Sequence, residues 1–268
     1  MSENLLVPRI GLFIIGDEIL SGRRQDSHLN TLIALLAERG LQLSWVRMLP
    51  DEPAELVEAL QWSFARGDIV FSCGGIGATP DDHTRQAAAD ALGLPLALHP
   101  EARRLINERQ VELAARDGKP VDLDGPENQQ RLKMGEFPAG ADIVPNPFNK
   151  IPGFWIADHT FLPGFPVMAG PMMAWTLDER YAALHHRTPR AEYSFLVFDL
   201  PESVLSPVME TLERQWSGVR AFSLPTVGKD GSRGHIDLGV KGEPTQCVQA
   251  LAFLKAEVKR LGGHFTVQ

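Results

Sequence analysis

FSCGGIGATPDDHTRQAAADALG, residues 71–93, joins an apolar run to a helical pattern through Gly74-Gly75-Ile76-Gly77 and Thr79-Pro80-Asp81-Asp82. Strand, glycine loop and helix in immediate succession form a βα unit, the building block of a parallel sheet. A turn alone needs fewer glycines. Bare backbone lets amide N–H groups approach a ligand, and a helix starting near Thr79 would add unpaired N–H groups and a positive dipole end. The stretch therefore predicts an anion site as well as a crossover. Its second half also has a plainer reading as helix-start chemistry: Thr79 as N-cap, Pro80 in the first helical position, Asp81 and Asp82 against the dipole.

Upstream, residues 9–15 (RIGLFII) form a short apolar run between Pro8 and Gly16, a buried strand. Residues 26–39 repeat apolar side chains at helical spacing and stop at Gly40; 41–49 alternate as a strand; 53–66 are helical; 68–73 are a third strand and 82–92 a third helix. Such repeats with short connections imply right-handed crossovers and a sheet covered on both faces. Downstream, 101–116 and 127–134 read as helices. Short strands at 142–144, 154–157 and 160–162 lie among Gly- and Pro-rich turns, and 167–183 is a helix interrupted or kinked at Pro171. HHRTPR, 185–190, reads as a polar linker, after which strands (193–199, 219–224, 235–241) and helices (203–215, 244–261) restart as β-α-β-β-α. The expected fold is α/β: a three-layer α/β/α sandwich with a mostly parallel sheet over 1–184, plus a small α+β domain over 191–268.

A formal net charge of −8 lacks the basic excess of a nucleic-acid binder. The longest apolar runs, such as 10–15, are too short to span a bilayer, and the N-terminus has no signal-peptide pattern, so a cytoplasmic protein without a membrane partner is expected. The two cysteines, Cys73 and Cys247, have neither CxxC nor zinc-site spacing. Cys73 reads as a buried strand-end thiol, because no histidine base stands near it in sequence.

Ligands of open α/β sheets bind outside the carboxyl ends of the strands. The residues predicted there are Gly16-Asp17-Glu18, Asp51, and Gly74 to Gly77. The chain has no GxxxxGK[ST], and GGIGATP lacks the third glycine of GxGxxG. Gly228-Lys229-Asp230-Gly231 reads as a hairpin loop, not an RNA-clamping GxxG. Adjacent carboxylates repel a phosphate unless a cation sits between them, and the oxygen ligands Asp17, Asp51, Asp81 and Asp82 favour magnesium or manganese over zinc. Arg23, Arg24 and Lys150 are candidate phosphate partners, and His83 an outer partner of Asp82 or a surface residue.

GDEILSG (16–22), GGIGATPDD (74–82), NPFNKIPGF (146–154) and FLPGFPVM (161–168) together resemble the molybdenum-cofactor-biosynthesis, or molybdopterin-binding, domain, nearest to the competence/damage-inducible protein A (CinA) group. The resemblance implies a pterin or nucleotide pocket built by these loops, from Gly16, Asp17, Glu18, Gly74, Gly75, Ile76, Gly77, Ala78, Thr79, Asn146, Lys150, Pro163 and Gly164. It also implies Asp82 and Asp51 as catalytic or metal-holding acids, a divalent cation, and a homo-oligomer. Ala78 stands where relatives often carry proline, and Asn149-Lys150 occupies a usually small, neutral loop. Within these 268 residues no counterpart of the C-terminal amidase domain of longer relatives is expected, so its nicotinamide-mononucleotide deamidation is not among the expected activities. Some relatives resemble metal-dependent pyrophosphatases of ADP-ribose-like nucleotides. Three readings follow: a pyrophosphate hydrolase, a non-catalytic pterin or nucleotide binder, or an interaction module.

Overall fold

The computed structural model describes residues 9–187, 190–226 and 234–267. Its contacts divide the chain into two units, Met1–His185 and His186–Gln268. The predicted linker 185–190 is described except for 188–189, and the predicted 228–231 hairpin loop lies outside the described residues.

The first unit opens with β1 (Ile10–Ile15), the one-turn helix α1 (Asp17–Leu20), α2 (His28–Glu38), β2 (Trp45–Leu49), α3 (Pro53–Phe64), β3 (Ile69–Cys73) and α4 (Thr84–Leu92). It continues through β4 (Leu96–Leu98), α5 (Pro100–Asp117), α6 (Pro126–Leu132) and a 3-10 turn, Lys133–Gly135. It closes with β5 (Glu136–Pro138), β6 (Asp142–Val144), β7 (Gly153–Ile156), β8 (His159–Leu162) and α7 (Pro166–Arg180), which runs as one helix through Pro171. A six-stranded sheet has the order β2-β1-β3-β8-β7-β6. β2, β1, β3 and β8 are parallel neighbours, and β8, β7 and β6 form an antiparallel meander.

Alternation along β1 shows why both faces are covered. Leu12 and Ile14 point into a core with Leu32 and Leu36 of α2 and Met172 and Leu177 of α7. Phe13 and Ile15 point into a second core with Leu56 and Leu60 of α3 and Ala87 and Ala88 of α4. A strand buried on both faces reads as a continuous apolar run, as RIGLFII does. The mainly parallel α/β/α sandwich is thus observed.

The second unit is β9 (Ala191–Phe198), α8 (Glu202–Gln215), β10 (Val219–Thr226), β11 (His235–Gly242), α9 (Pro244–Arg260) and β12 (His264–Val267). Its sheet, in the order β10-β11-β9-β12, is antiparallel throughout. Phe195, Val197, Leu238 and Val240 pack under Leu205 and Leu212 of α8 and Leu254 and Val258 of α9. The final strand, β12, extends the expected β-α-β-β-α pattern. Among the described residues no helix is long and apolar enough to cross a membrane.

One boundary moves. The helix expected to open between Thr79 and Asp82 begins at Thr84, with His83 in the N-cap position. Asp82 does not serve as a first-turn acid, because its Oδ2 accepts from the backbone N–H of Thr79 at 2.8 Å and from the Thr79 hydroxyl. That side-chain turn competes with helix and delays it. The Thr84 N–H, in turn, donates to the Gly75 carbonyl at 3.0 Å. The helix end points its first donor at its own loop.

Candidate functional site

β6 runs antiparallel to β7, and β7 antiparallel to β8, so β6 and β8 share a direction. The loops leaving β3, β6 and β8 therefore emerge at the same, carboxyl edge of the sheet. There they enclose a cavity of about 350 Å³. Its wall includes Gly75, Ile76, Gly77, Ala78, Thr79 and Asp82 after β3, Asn146 after β6, and Pro163 and Gly164 after β8.

The glycines owe part of their identity to packing. Gly74 has φ +113°, and a Cβ there would meet the Ile15 carbonyl oxygen at 2.2 Å. Gly75 has φ +67°, and its Cβ would meet Thr84 Oγ1 at 2.2 Å. The loop lies so close to β1 and α4 that neither position has room for a side chain. The buried Thr84 hydroxyl donates to the Gly74 carbonyl at 3.0 Å while its N–H takes that of Gly75. The consequence for the cavity lies in the other half of each peptide. The backbone N–H groups of Gly75, Ile76, Gly77 and Ala78 donate to no acceptor among the described residues. Consecutive free N–H groups in a concave loop make an anion-binding nest.

Asn146 is buried and staples its own loop: Nδ2 donates to the Ile151 carbonyl at 2.9 Å, and Oδ1 accepts from the Phe148 N–H at 3.0 Å. Asn149, Ile151, Pro152, Met134, Phe165 and Met168 complete the wall. Asn149, Ile151, Pro152, Phe165 and Met168 sit inside quoted motifs. Met134 carries no local signal: its 3-10 turn is brought to the cavity by long-range contacts, the pairing of β4 with β5 and the Arg85 hydrogen bond to the Lys133 carbonyl. The Arg24 guanidinium stands 5.8 Å from the centroid of the Phe165 ring.

Gly16, Asp17, Glu18, Gly74, Asp51 and Lys150 do not line this cavity. Asp17 and Asp51 cap one another instead: the Asp17 N–H donates to Asp51 Oδ2 at 2.9 Å, and the Asp51 N–H to Asp17 Oδ1 at 3.4 Å. Burial raises the pKa of Asp51 and the charges of Asp17, Glu18 and Asp81 add to it, against the hydrogen bond from Asp17. Lys150 pairs with Glu112 and lies 3.6 Å from Glu108, both on α5. Cys73 is buried, and burial pushes its thiol well up, which leaves it unreactive. Among the described residues no group of three or more His, Cys, Asp or Glu is placed to hold a metal ion.

Residues 11–183, well over half of the chain, match the family described as "Probable molybdopterin binding domain". The chain belongs to that family. Two CinA-like proteins are similar to it. That of Anaeromyxobacter sp. (strain Fw109-5) is 31% identical over 85% of this chain and 57% of its own length. That of Geobacter metallireducens is 32% identical over 96% of this chain and 60% of its own. The chain thus spans less than two thirds of either relative. The crystal structure of CinA from Thermoplasma acidophilum, a protein described as of unknown function, superposes with a TM-score of 0.54 at 25% identity, covering 65% of this chain and 98% of that one. The chain is a CinA-like member of the molybdopterin-binding domain family, and three of the four stretches that carry the resemblance, 74–82, 146–154 and 161–168, contribute to the cavity wall.

Proposed function

We propose that the cavity binds the phosphorylated end of a molybdopterin-type pterin or a related nucleotide. The observation that carries this reading is the run of unpartnered N–H groups from Gly75 to Ala78 on the cavity wall. A buried or half-buried N–H without an acceptor is costly, and a phosphate oxygen removes that cost. The volume, about 350 Å³, lies within the range of small-molecule sites. Inorganic pyrophosphate and ADP-ribose are expected to raise the melting temperature, because a ligand bound only to the folded state stabilises it by mass action. No shift with either, and no pterin or nucleotide mass released from the denatured protein, would overturn the reading.

A second reading, turnover at a pyrophosphate, draws on Asp82. Its Oδ2 is tied to Thr79 while Oδ1 has no partner among the described residues, and the side chain faces the cavity beside the nest. Magnesium commonly takes one or two protein carboxylates and completes its shell with phosphate oxygens and water. Asp82 is the residue that would hold such a cation; Asp51, expected beside it from the sequence, does not line the cavity and caps Asp17 instead. Release of AMP from ADP-ribose, dependent on added magnesium or manganese, tests it; no release with either metal would leave binding alone. The proposal further takes the protein as a cytoplasmic homo-oligomer without a nucleic-acid partner, on the family resemblance and the acidic net charge. Light scattering in solution checks the oligomer.

A further inference from the structure

Arg85 is a charged side chain only 2% exposed, and among the described residues its hydrogen bonds go to backbone carbonyls and none to a carboxylate. One terminal nitrogen donates to the Gly77 carbonyl at 2.6 Å, the other to the Lys133 carbonyl, and Nε has no partner. Gln130, exposed on α6, donates its Nε2–H to the Ala78 carbonyl at 2.7 Å. Neither residue lines the cavity. Both approach the glycine loop from behind.

We infer that Arg85 and Gln130 are positioning residues of the anion nest: they hold the Gly77 and Ala78 carbonyls away from the cavity and so fix which side of the loop presents N–H groups. The reason is covalent. In a planar trans peptide the C=O and the following N–H point in opposite directions. Holding the Gly77 carbonyl on Arg85 therefore turns the Ala78 N–H to the other side of the loop. The same rule applies to Thr84, which fixes the Gly74 and Gly75 carbonyls and thereby the N–H groups of Gly75 and Ile76. Holding the Ala78 carbonyl on Gln130 turns the Thr79 N–H, which Asp82 accepts at 2.8 Å. Without these donors the carbonyls of a glycine-rich loop are free to rotate inward and repel an anion.

Arg85 adds a second effect. Glu136 and Asp82 are the acids that act on it from a distance, and burial disfavours its charge. Placed behind Gly77, the guanidinium puts a fixed positive charge under the nest, in surroundings where water screens it poorly. An anion in the nest completes that electrostatic arrangement. The ligand class selected is a multiply charged phosphate or pyrophosphate held by backbone amides, with no arginine or lysine side chain needed in the cavity itself.

The inference rests on the binding reading, and the experiment separates the two. Pyrophosphate is titrated into the full-length protein and into Gln130→Leu and Arg85→Lys, followed by calorimetry and by the amide resonances of Gly77, Ala78 and Thr79. Wild type is expected to bind, with the Gly77 and Ala78 amide protons moving downfield. Gln130→Leu is expected to weaken binding about fivefold, the loss of one hydrogen bond, with its unliganded melting temperature unchanged because the residue is exposed. The Thr79 amide, which shares its peptide with the Ala78 carbonyl, should shift in this variant, and the loosened Ala78 carbonyl should weaken the anion's effect on the loop amides. Arg85→Lys is expected to lose more, about tenfold or beyond, since a charged, two-pronged donor is replaced by a point charge. If that variant fails to fold, Gln130→Leu alone decides. Normal binding and unchanged amide responses in Gln130→Leu would overturn the positioning role while leaving the binding reading intact. Failure of wild type to bind pyrophosphate would sink both.

Discussion

Two loops leave neighbouring parallel strands at the same edge of the sheet, yet they use their backbones in opposite ways. After β1, the N–H of Gly16 donates to the Leu49 carbonyl, that of Asp17 to Asp51, and those of Ile19 and Leu20 to the Gly16 carbonyl. Acceptors supplied by β2, Asp51 and the Gly16 carbonyl close the loop on itself. After β3, the carbonyls of Gly74, Gly75, Gly77 and Ala78 are all taken by protein donors, and the N–H groups from Gly75 to Ala78 are left open. Both loops are glycine-bearing and acidic in sequence. What separates a satisfied turn from a binding site is which half of each peptide the protein has already paired.

The sharpest way to break the contrast is to insert a methyl group at each bend. Gly74→Ala drives a Cβ into the Ile15 carbonyl oxygen, at 2.2 Å, from a backbone with φ +113°. A loss of about 3 kcal/mol or more is expected in urea unfolding, since backbone on both sides must shift. Gly16 also has a positive φ, +154°, but a Cβ there meets the flexible carboxylate end of Glu18, at 2.5 Å, rather than backbone, and a smaller loss of about 1–2 kcal/mol is expected. Equal losses would mean that the two bends are equally constrained.

Thr84→Val keeps the shape of a fully buried side chain but removes the donor to the Gly74 carbonyl. An orphaned buried acceptor costs about 1–3 kcal/mol. Pyrophosphate affinity should fall with it, because the Gly75 N–H is no longer oriented. A stability change without an affinity change would separate packing from function in this loop.

Asp82→Asn against Asp51→Asn compares the acids of the two loops. Asp82 lines the cavity and Asp51 does not. At least a tenfold loss of ADP-ribose affinity or turnover, about 1.4 kcal/mol, is expected for Asp82→Asn, and less than about twofold for Asp51→Asn. Similar losses from both would show that the two loops meet one ligand.

The smallest expected effect concerns Asp51 alone. Its folded-state pKa is raised above the ordinary 3.8, chiefly by burial, so its charge opposes folding. For an acid shifted in this direction the penalty is absent below the unfolded pKa and complete once pH exceeds the raised folded value. Asp51→Asn should therefore stabilise the protein at pH 7 by a few tenths of a kcal/mol, after solvent screening, and the gain should vanish near pH 3. A destabilised Asp51→Asn at pH 7 would mean that the reciprocal cap with Asp17 outweighs the repulsion.

Much of the first unit was legible because its elements carry their own periods. RIGLFII and the 26–39 repeat need no partner to be recognised as strand and helix. β4 and β5 did not have that property. Leu96–Leu98 and Glu136–Pro138 are three residues each, separated by two helices, and acquire meaning only by pairing. In the site, Gly75 to Thr79, Asp82, Asn146, Pro163 and Gly164 were legible as motif residues at strand ends. Asp51 and Lys150 satisfy the same rule of location but are claimed by Asp17 and by Glu108 and Glu112. Arg85 and Gln130 lie in plain helical sequence, where nothing local marks a side chain that reaches back to a loop carbonyl.

The pairing of Lys150 with α5 has a consequence for the medium in which the protein works. The loop that supplies Asn146 and Asn149 to the cavity is tied to Glu108 and Glu112 through exposed charges. Exposed ion pairs weaken as ionic strength rises, with a screening length near 8 Å at physiological salt. That loop is held within itself by the Asn146 and Asn149 hydrogen bonds, but its tie to α5 is a contact that salt loosens, whereas the nest is held by hydrogen bonds that salt scarcely touches. A ligand that touches this loop is then expected to bind with an ionic-strength dependence that comes from the protein's own tether, even for a ligand part that carries no charge.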